Sequence, residues 1–220
     1  MELTGEEQRV LGSLLEKAAT TPENYPLTMN ALIAACNQTS NREPVVNFGE
    51  DTVTAALTSL REQKLTRIVY PAHARVTKYR HVLDEVWALT EPELAVLAVL
   101  LLRGAQTETE LGARTERYGD LSDLGGVAGI LDRLGRRPEP LVRLIGRRPG
   151  QREDRYIHLL GPIELPDISD GPATKSAQLA ERILALEAET ANLRRELTNL
   201  REWLEEQLGE SSSPPRSTPD

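Results

Sequence analysis

The run Thr4-x-x-Glu7-x-x-Val10-Leu11-x-x-Leu14-Leu15-x-Lys17 returns 86 positions later as Thr90-x-x-Glu93-x-x-Val96-Leu97-x-x-Leu100-Leu101-x-Arg103, and Thr21 meets Thr107 at the same offset. A second string, Arg75-x-x-Lys78-Tyr79-x-His81-x-Leu83, reappears as Arg152-x-x-Arg155-Tyr156-x-His158-x-Leu160. Between these anchors Val53, Leu57 and Leu60 echo as Val127, Leu131 and Leu134. Matches in one order, with offsets that change only between elements, describe a single supersecondary plan built twice with different loops. Two copies are too few for a solenoid, so the pattern predicts a tandem pair of small domains.

Each copy opens with a capping box. Thr4 and Glu7 start a helix over 5–17, and Thr90 and Glu93 start one over 91–102, with Pro92 tolerated in the first turn. Their Val and Leu residues fall at helical spacing and give each helix a buried face. Thr28 caps a short second helix ending near Cys36, and Thr107 with Glu110 caps its counterpart. A third helix is expected over 51–63, and another is expected to be capped by Ser122 or Asp123. β-prone runs follow at 65–70 and 76–83, then at 141–145 and 154–160, with loops 71–74 and 146–151 between them.

Three helices closed by a β-hairpin at this length form the winged-helix variety of helix-turn-helix. The expected fold is therefore mainly α with small β-hairpins: one winged-helix domain over 1–84 and another over 85–161. Residues 162–174 hold Pro162, Pro166 and Pro172 and read as a linker. From 175 to 208 a heptad is legible, with Ile183, Thr190, Leu197 and Leu204 at a and Leu179, Leu186, Leu193 and Leu200 at d. In a parallel dimer, Arg182 would meet Glu187, Glu189 would meet Arg194, and Glu196 would meet Arg201. All three pairs are opposite in charge, whereas centred antiparallel pairing would set Glu189 against Glu189 and Arg194 against Arg194, so a parallel homodimer is expected; the alternative is an amphipathic helix folded back on its own winged helices. The Ser/Pro-rich stretch 209–220 lacks the apolar content of a folded segment and is expected to be disordered.

The words Tyr25-Pro26-Leu27-x-x-Asn30-Ala31-Leu32, Ala35-Cys36-Asn37-Gln38-x-Ser40-Asn41-Arg42-Glu43-Pro44 and Leu100-Leu101-Leu102-Arg103-Gly104-Ala105-Gln106-Thr107 resemble the YceH family of bacterial proteins. The likeness spans about residues 3–160. It implies a tandem winged-helix fold and carries no established site residues. Asn41, Arg42 and Glu43 lie in its most specific string. They are a candidate partner loop, against a competing reading in which Asn and Ser only cap backbone there.

Composition narrows the function. A single cysteine, Cys36, excludes an intrachain disulfide framework and suits a reducing compartment. No apolar run reaches membrane-spanning length and the acidic N-terminus does not resemble a secretion signal, so a cytoplasmic protein is expected. His73, His81 and His158 sit at no metal-ligand spacing, and Gly125-Gly126-x-x-Gly129 lacks the strand a dinucleotide site requires. Those glycines are expected to admit another helix. No enzyme, cofactor or metal is expected.

The net charge is −8, but it is segregated: six Lys/Arg face one acid over 61–80, and eight Arg face three acids over 133–155. Arg61, Lys64, Arg75, Lys78 and Arg80 on the first hairpin region are candidate contacts to nucleic-acid phosphate. Arg133, Arg136, Arg147, Arg148, Arg152 and Arg155 are the candidates on the second. The outward faces of the third helices, such as Asp51, Thr54, Thr58 and Glu62, lack the residues that read base edges. Three functions therefore fit. The first is a double-stranded-DNA-binding regulator of transcription or of the nucleoid, the second an adaptor that binds protein through winged-helix surfaces, and the third, with least support, a small-molecule sensor using a pocket between the tandem domains.

Overall fold

The computed structural model describes residues 2–70, 76–119, 124–147, 153–162, 190–191 and 194–201. The chain divides into two compact units, Met1–Glu164 and Leu165–Asp220.

In the first unit, α1 (Gly5–Thr20) begins where expected. The Thr4 amide donates to a Glu7 carboxylate oxygen at 2.7 Å, and the Glu7 amide donates back to Thr4 Oγ1 at 3.3 Å. A short strand β1 (Leu27–Thr28) leads into α2 (Met29–Cys36), then come α3 (Glu50–Glu62) and the hairpin of β2 (Thr66–Val69) and β3 (Lys78–His81). A one-turn helix α4 (Leu83–Val86) joins the repeats. The second repeat runs α5 (Glu91–Arg103), β4 (Gln106–Thr107), α6 (Glu108–Thr115), α7 (Gly126–Gly135), β5 (Val142–Ile145) and β6 (Arg155–His158).

Each hairpin gains a third strand that hydrophobic pattern could not reveal, because β1 and β4 are two residues long. The sheets are ordered β1-β3-β2 and β4-β6-β5, all antiparallel. The registers also correct one alignment. Thr28 lies opposite Lys78 and Thr107 opposite Arg155, so the partner of Thr107 is Thr28, not Thr21. Both threonines end a strand and cap the following helix: Thr28 Oγ1 accepts from Ala31 N and Thr107 Oγ1 from Glu110 N.

The repeats share one apolar core. Helix α1 packs along α5, and Val10, Leu11 and Leu14 join Val96, Leu97 and Leu100 in a single buried cluster. Gly12 permits the close approach, since a Cβ there would lie 2.9 Å from Leu102 Cγ and 3.0 Å from Leu101 Cβ. The second joint is ionic. Glu16 of α1 binds Arg42 from the α2–α3 loop and Arg117 just after α6, and it is fully buried with Arg42.

Helix α7 starts differently from expectation. Its N-cap is Gly125, not Ser122 or Asp123, because Gly125 and Gly126 both take left-handed backbone, with φ of 77° and 69°. Nor do these glycines face another helix among the described residues. A Cβ on Gly129 would collide with the Leu124 carbonyl oxygen of its own turn at 2.0 Å.

Of the second unit, residues 194–201 are helical, with Leu197 and Leu200 exposed. Leu179, Ile183, Leu186, Leu193 and Leu204 lie outside the described residues, as do the linker, most of the heptad and the tail. Among the described residues no helix is long and apolar enough to cross a membrane.

Candidate functional site

The hairpin cations fall into three groups. Arg75, Arg148 and Arg152 lie outside the described residues. Several of the others are engaged by nearby carboxylates. Arg80 reaches Glu85 at 2.9 Å and Asp84 at 3.5 Å, Arg136 pairs with Asp132 at 2.5 Å, and Arg155 with Glu110 at 3.1 Å. Arg133 approaches the buried Glu93 carboxylate at 3.3 Å, the group that also accepts from the Thr90 amide to cap α5. The third group comprises Arg61, Lys64, Lys78 and Arg147, whose side chains pair with no carboxylate among the described residues. Arg61 and Lys64 are exposed at the C-terminal end of α3, whose outward face also carries Glu50, Asp51, Thr54, Thr58 and Glu62.

Of the candidate partner loop, Arg42 points inward. Its guanidinium is wholly buried, paired with Glu16 and donating to Ala35 O at 2.8 Å and Gln38 Oε1 at 3.1 Å. The burial of Glu16 alone would raise its carboxyl pKa, but the Arg42 hydrogen bond and charge, with Arg117 and Lys17, hold it below the ordinary value. Asn41 Oδ1 accepts from Arg103 at 3.3 Å and the Glu43 amide donates to Leu102 O at 2.9 Å, so the loop braces the start of the second repeat.

His81 and His158 occupy equivalent buried positions at the ends of β3 and β6, and burial pushes each imidazole down to about 4. Leu160 N donates to His158 Nδ1 at 3.3 Å, which requires that nitrogen to be unprotonated. Cys36 is buried, and burial pushes its thiol up, away from nucleophilic character. Among the described residues no cluster of His, Cys, Asp and Glu could hold a metal ion.

One concave surface was not anticipated. A groove of about 640 Å³ lies between α6, α7 and the β5–β6 hairpin, lined by Glu108, Thr109, Gly112, Val127, Leu144, Glu153, Asp154 and Tyr156. Among the described residues its lining mixes Val127, Leu144 and Tyr156 with three carboxylates. Leu144 follows Val142 on the same face of β5. Val142 is buried over the core, whereas Leu144, one pleat further out, is 51% exposed. Leu144 was the available signal, an apolar residue among charges near a hairpin tip. In the first repeat the strand register and helix caps put Ile68, Tyr79, Met29 and Thr77 where Leu144, Tyr156, Glu108 and Asp154 stand, so the acidic rim belongs to the second repeat.

A family model described as a protein of unknown function, DUF480, matches residues 3–151. The chain is 45% identical over 216 residues to a UPF0502 protein of Pelobacter propionicus, covering 96% of this chain and 98% of that one. It is 46% identical over 199 residues to a UPF0502 protein of Mesorhizobium japonicum, covering 88% and 94%. The UPF0502 protein YceH of Salmonella paratyphi A is 44% identical over 206 residues, covering 90% and 96%. A match over most of the chain at this identity makes the protein a member of the DUF480 (UPF0502) family, to which YceH belongs.

Proposed function

We propose that this chain is a non-enzymatic tandem winged-helix adaptor whose second repeat binds a basic, partly apolar segment of another protein. In this reading α2 and α3, and likewise α6 and α7, are the helix-turn-helix pairs and the two hairpins are the wings. The observation that carries it is the groove between α6, α7 and the β5–β6 hairpin, where a DNA-reading winged helix would meet the duplex. Among the described residues the groove is lined by Glu108, Glu153 and Asp154 together with Val127, Leu144 and Tyr156, and by no cation. Phosphate is repelled by such a lining, whereas a Lys/Arg-bearing segment gains charge complementarity and apolar burial together.

DNA contact is the second reading. It is favoured by Arg61 and Lys64, which are exposed on the first repeat. The two readings separate in a pull-down from native cytosol with and without nuclease. An adaptor keeps its captured protein after nuclease treatment and loses it when Leu144 becomes Asp. A DNA binder loses its captured material to nuclease, and Arg61→Glu with Lys64→Glu abolishes retardation of duplex DNA at low salt. In either reading the heptad helix joins two chains in parallel, placing four winged helices in one particle.

A further inference from the structure

Strand β5 ends its sheet, since the order is β4-β6-β5, and among the described residues no strand lies on its other side. The register says which backbone groups face that open edge. Leu159 N donates to Leu141 O at 2.8 Å, and from there Val142 lies opposite His158, Arg143 opposite Ile157 and Leu144 opposite Tyr156. Bonded and non-bonded pairs alternate in an antiparallel ladder, so Arg143 and Ile145 bond to β6 while Leu144 turns its N–H and C=O outward. Among the described residues nothing accepts from that amide or donates to that carbonyl.

The edge is closed at its start and open beyond it. Leu141 N donates to Leu134 O at 3.0 Å, and a Cβ on Gly135 would lie 3.7 Å from Val142 O, so the end of α7 covers the strand there. From Arg143 to Arg147 every residue except the half-buried Ile145 is exposed. Leu144 thus presents an unpaired amide, an unpaired carbonyl and an exposed apolar side chain together. That side chain lines the groove with Tyr156 and the carboxylates of Glu108, Glu153 and Asp154. Among the described residues none of these carboxylates pairs with a cation, and Asp154 accepts only from the Arg147 amide at 3.1 Å. Their charge is felt at Tyr156, whose hydroxyl is pushed up by burial first and then by Glu108, Asp154 and Asp132. The matching edge residue of the first repeat, Ile68, is half-buried, with Met29 and Thr77 where Glu108 and Asp154 stand.

We propose that the partner segment binds as an added β-strand on the open edge of β5, paired with the Leu144 amide and carbonyl; this rests on the adaptor reading above. A residue opposite Leu144 puts its side chain on the groove face, as do the residues two before and two after it. The segment therefore alternates, with an apolar side chain beside Leu144 and Lys or Arg two positions away, reaching toward the groove carboxylates. Cations adjacent in sequence to the apolar residue would point to the opposite face. Strand addition thus selects a spacing as well as a composition.

The test is an NMR titration of the full chain with two short capped peptides of one composition. In one, threonine alternates with lysine, leucine and lysine; in the other the lysine, leucine and lysine are consecutive. The expected result is saturable binding of the alternating peptide, with slower hydrogen exchange at the Leu144 amide and unchanged exchange at the Ile68 amide. The consecutive peptide should bind about tenfold more weakly or worse. Leu144→Pro removes the edge amide without breaking a bond to β6 and should abolish binding, whereas Leu144→Val keeps the amide and should retain it. The proposal is overturned by absence of binding of the alternating peptide, by binding that leaves Leu144 exchange unchanged, by equal affinity of the two peptides, or by equal affinity of folded Leu144→Pro and Leu144→Val. The adaptor reading fails separately, when crosslinks from position 144 in the native host carry nucleic acid in place of protein.

Discussion

Leu144 and Tyr156 face each other across β5 and β6, and both line the groove that Glu108, Glu153 and Asp154 also line. A half-exposed leucine at a non-core position contributes little to folding. Leu144→Asp is therefore expected to change unfolding free energy by no more than about 0.5 kcal/mol in urea melts, the range of ordinary surface substitutions. A loss several times larger would mean that Leu144 belongs to the core and is not free to meet a partner in the groove.

Glu16 and Arg42 are a buried ion pair reaching from α1 to the α2–α3 loop, and Arg117 extends it into the second repeat. Removing one partner leaves a buried charge uncompensated, so Arg42→Ala or Glu16→Gln should cost about 3–5 kcal/mol in denaturant unfolding. The pH dependence has a definite sign. The folded-state pKa of Glu16 is lowered, so its contribution is present above the ordinary carboxylate value and is lost as pH falls through the lower, folded one. The acid branch of the stability curve should accordingly flatten in Glu16→Gln. An unchanged acid branch would remove Glu16 as its source.

His158 carries a second pH signature. Its imidazole is pushed from 6.5 down to about 4 by burial, so between those values the unfolded chain binds a proton that the folded chain does not. Stability contributed by the neutral ring is fully present above about 6.5 and is lost as pH falls toward 4. At roughly 1.4 kcal/mol per pH unit the loss is about 3 kcal/mol, and His81 adds a similar term. His158→Gln should shrink the slope of stability over this window, read from chemical unfolding at several pH values. A slope equal to wild type would show that the ring titrates normally.

The heptad predicts the assembly. Leu197 and Leu200, three residues apart at a and d, are both exposed in the single chain. Sedimentation should find the full chain dimeric and a chain ending after Gly171 monomeric. A dimer that survives this truncation would place the interface on the repeats.

Much of the fold was legible because repetition and capping chemistry act locally. Thr4 with Glu7, and Thr107 with Glu110, mark helix starts through hydrogen bonds within three residues. Strands β1 and β4 were invisible, since two residues carry no period and their pairing with β3 and β6 is set by tertiary packing. The Thr21–Thr107 match misled for the same reason: an identical residue at a constant offset outweighed a capping role that only the register reveals. At the surfaces, cation-rich segments were visible, but the partners of Arg80, Arg133 and Arg155 were not, because Glu85, Glu93 and Glu110 come from other elements. The groove was missed because its walls come from α6, α7 and a hairpin that only folding brings together.

The adaptor reading is tested most directly by a photocrosslinking amino acid placed at position 144 in the native host, with the adduct analysed after nuclease digestion. The account predicts one or a few discrete protein adducts that persist after digestion and disappear when Glu108, Glu153 and Asp154 are changed to Lys. Adducts that consist of nucleic acid, or protein adducts that form equally well in the Lys variant, would contradict it.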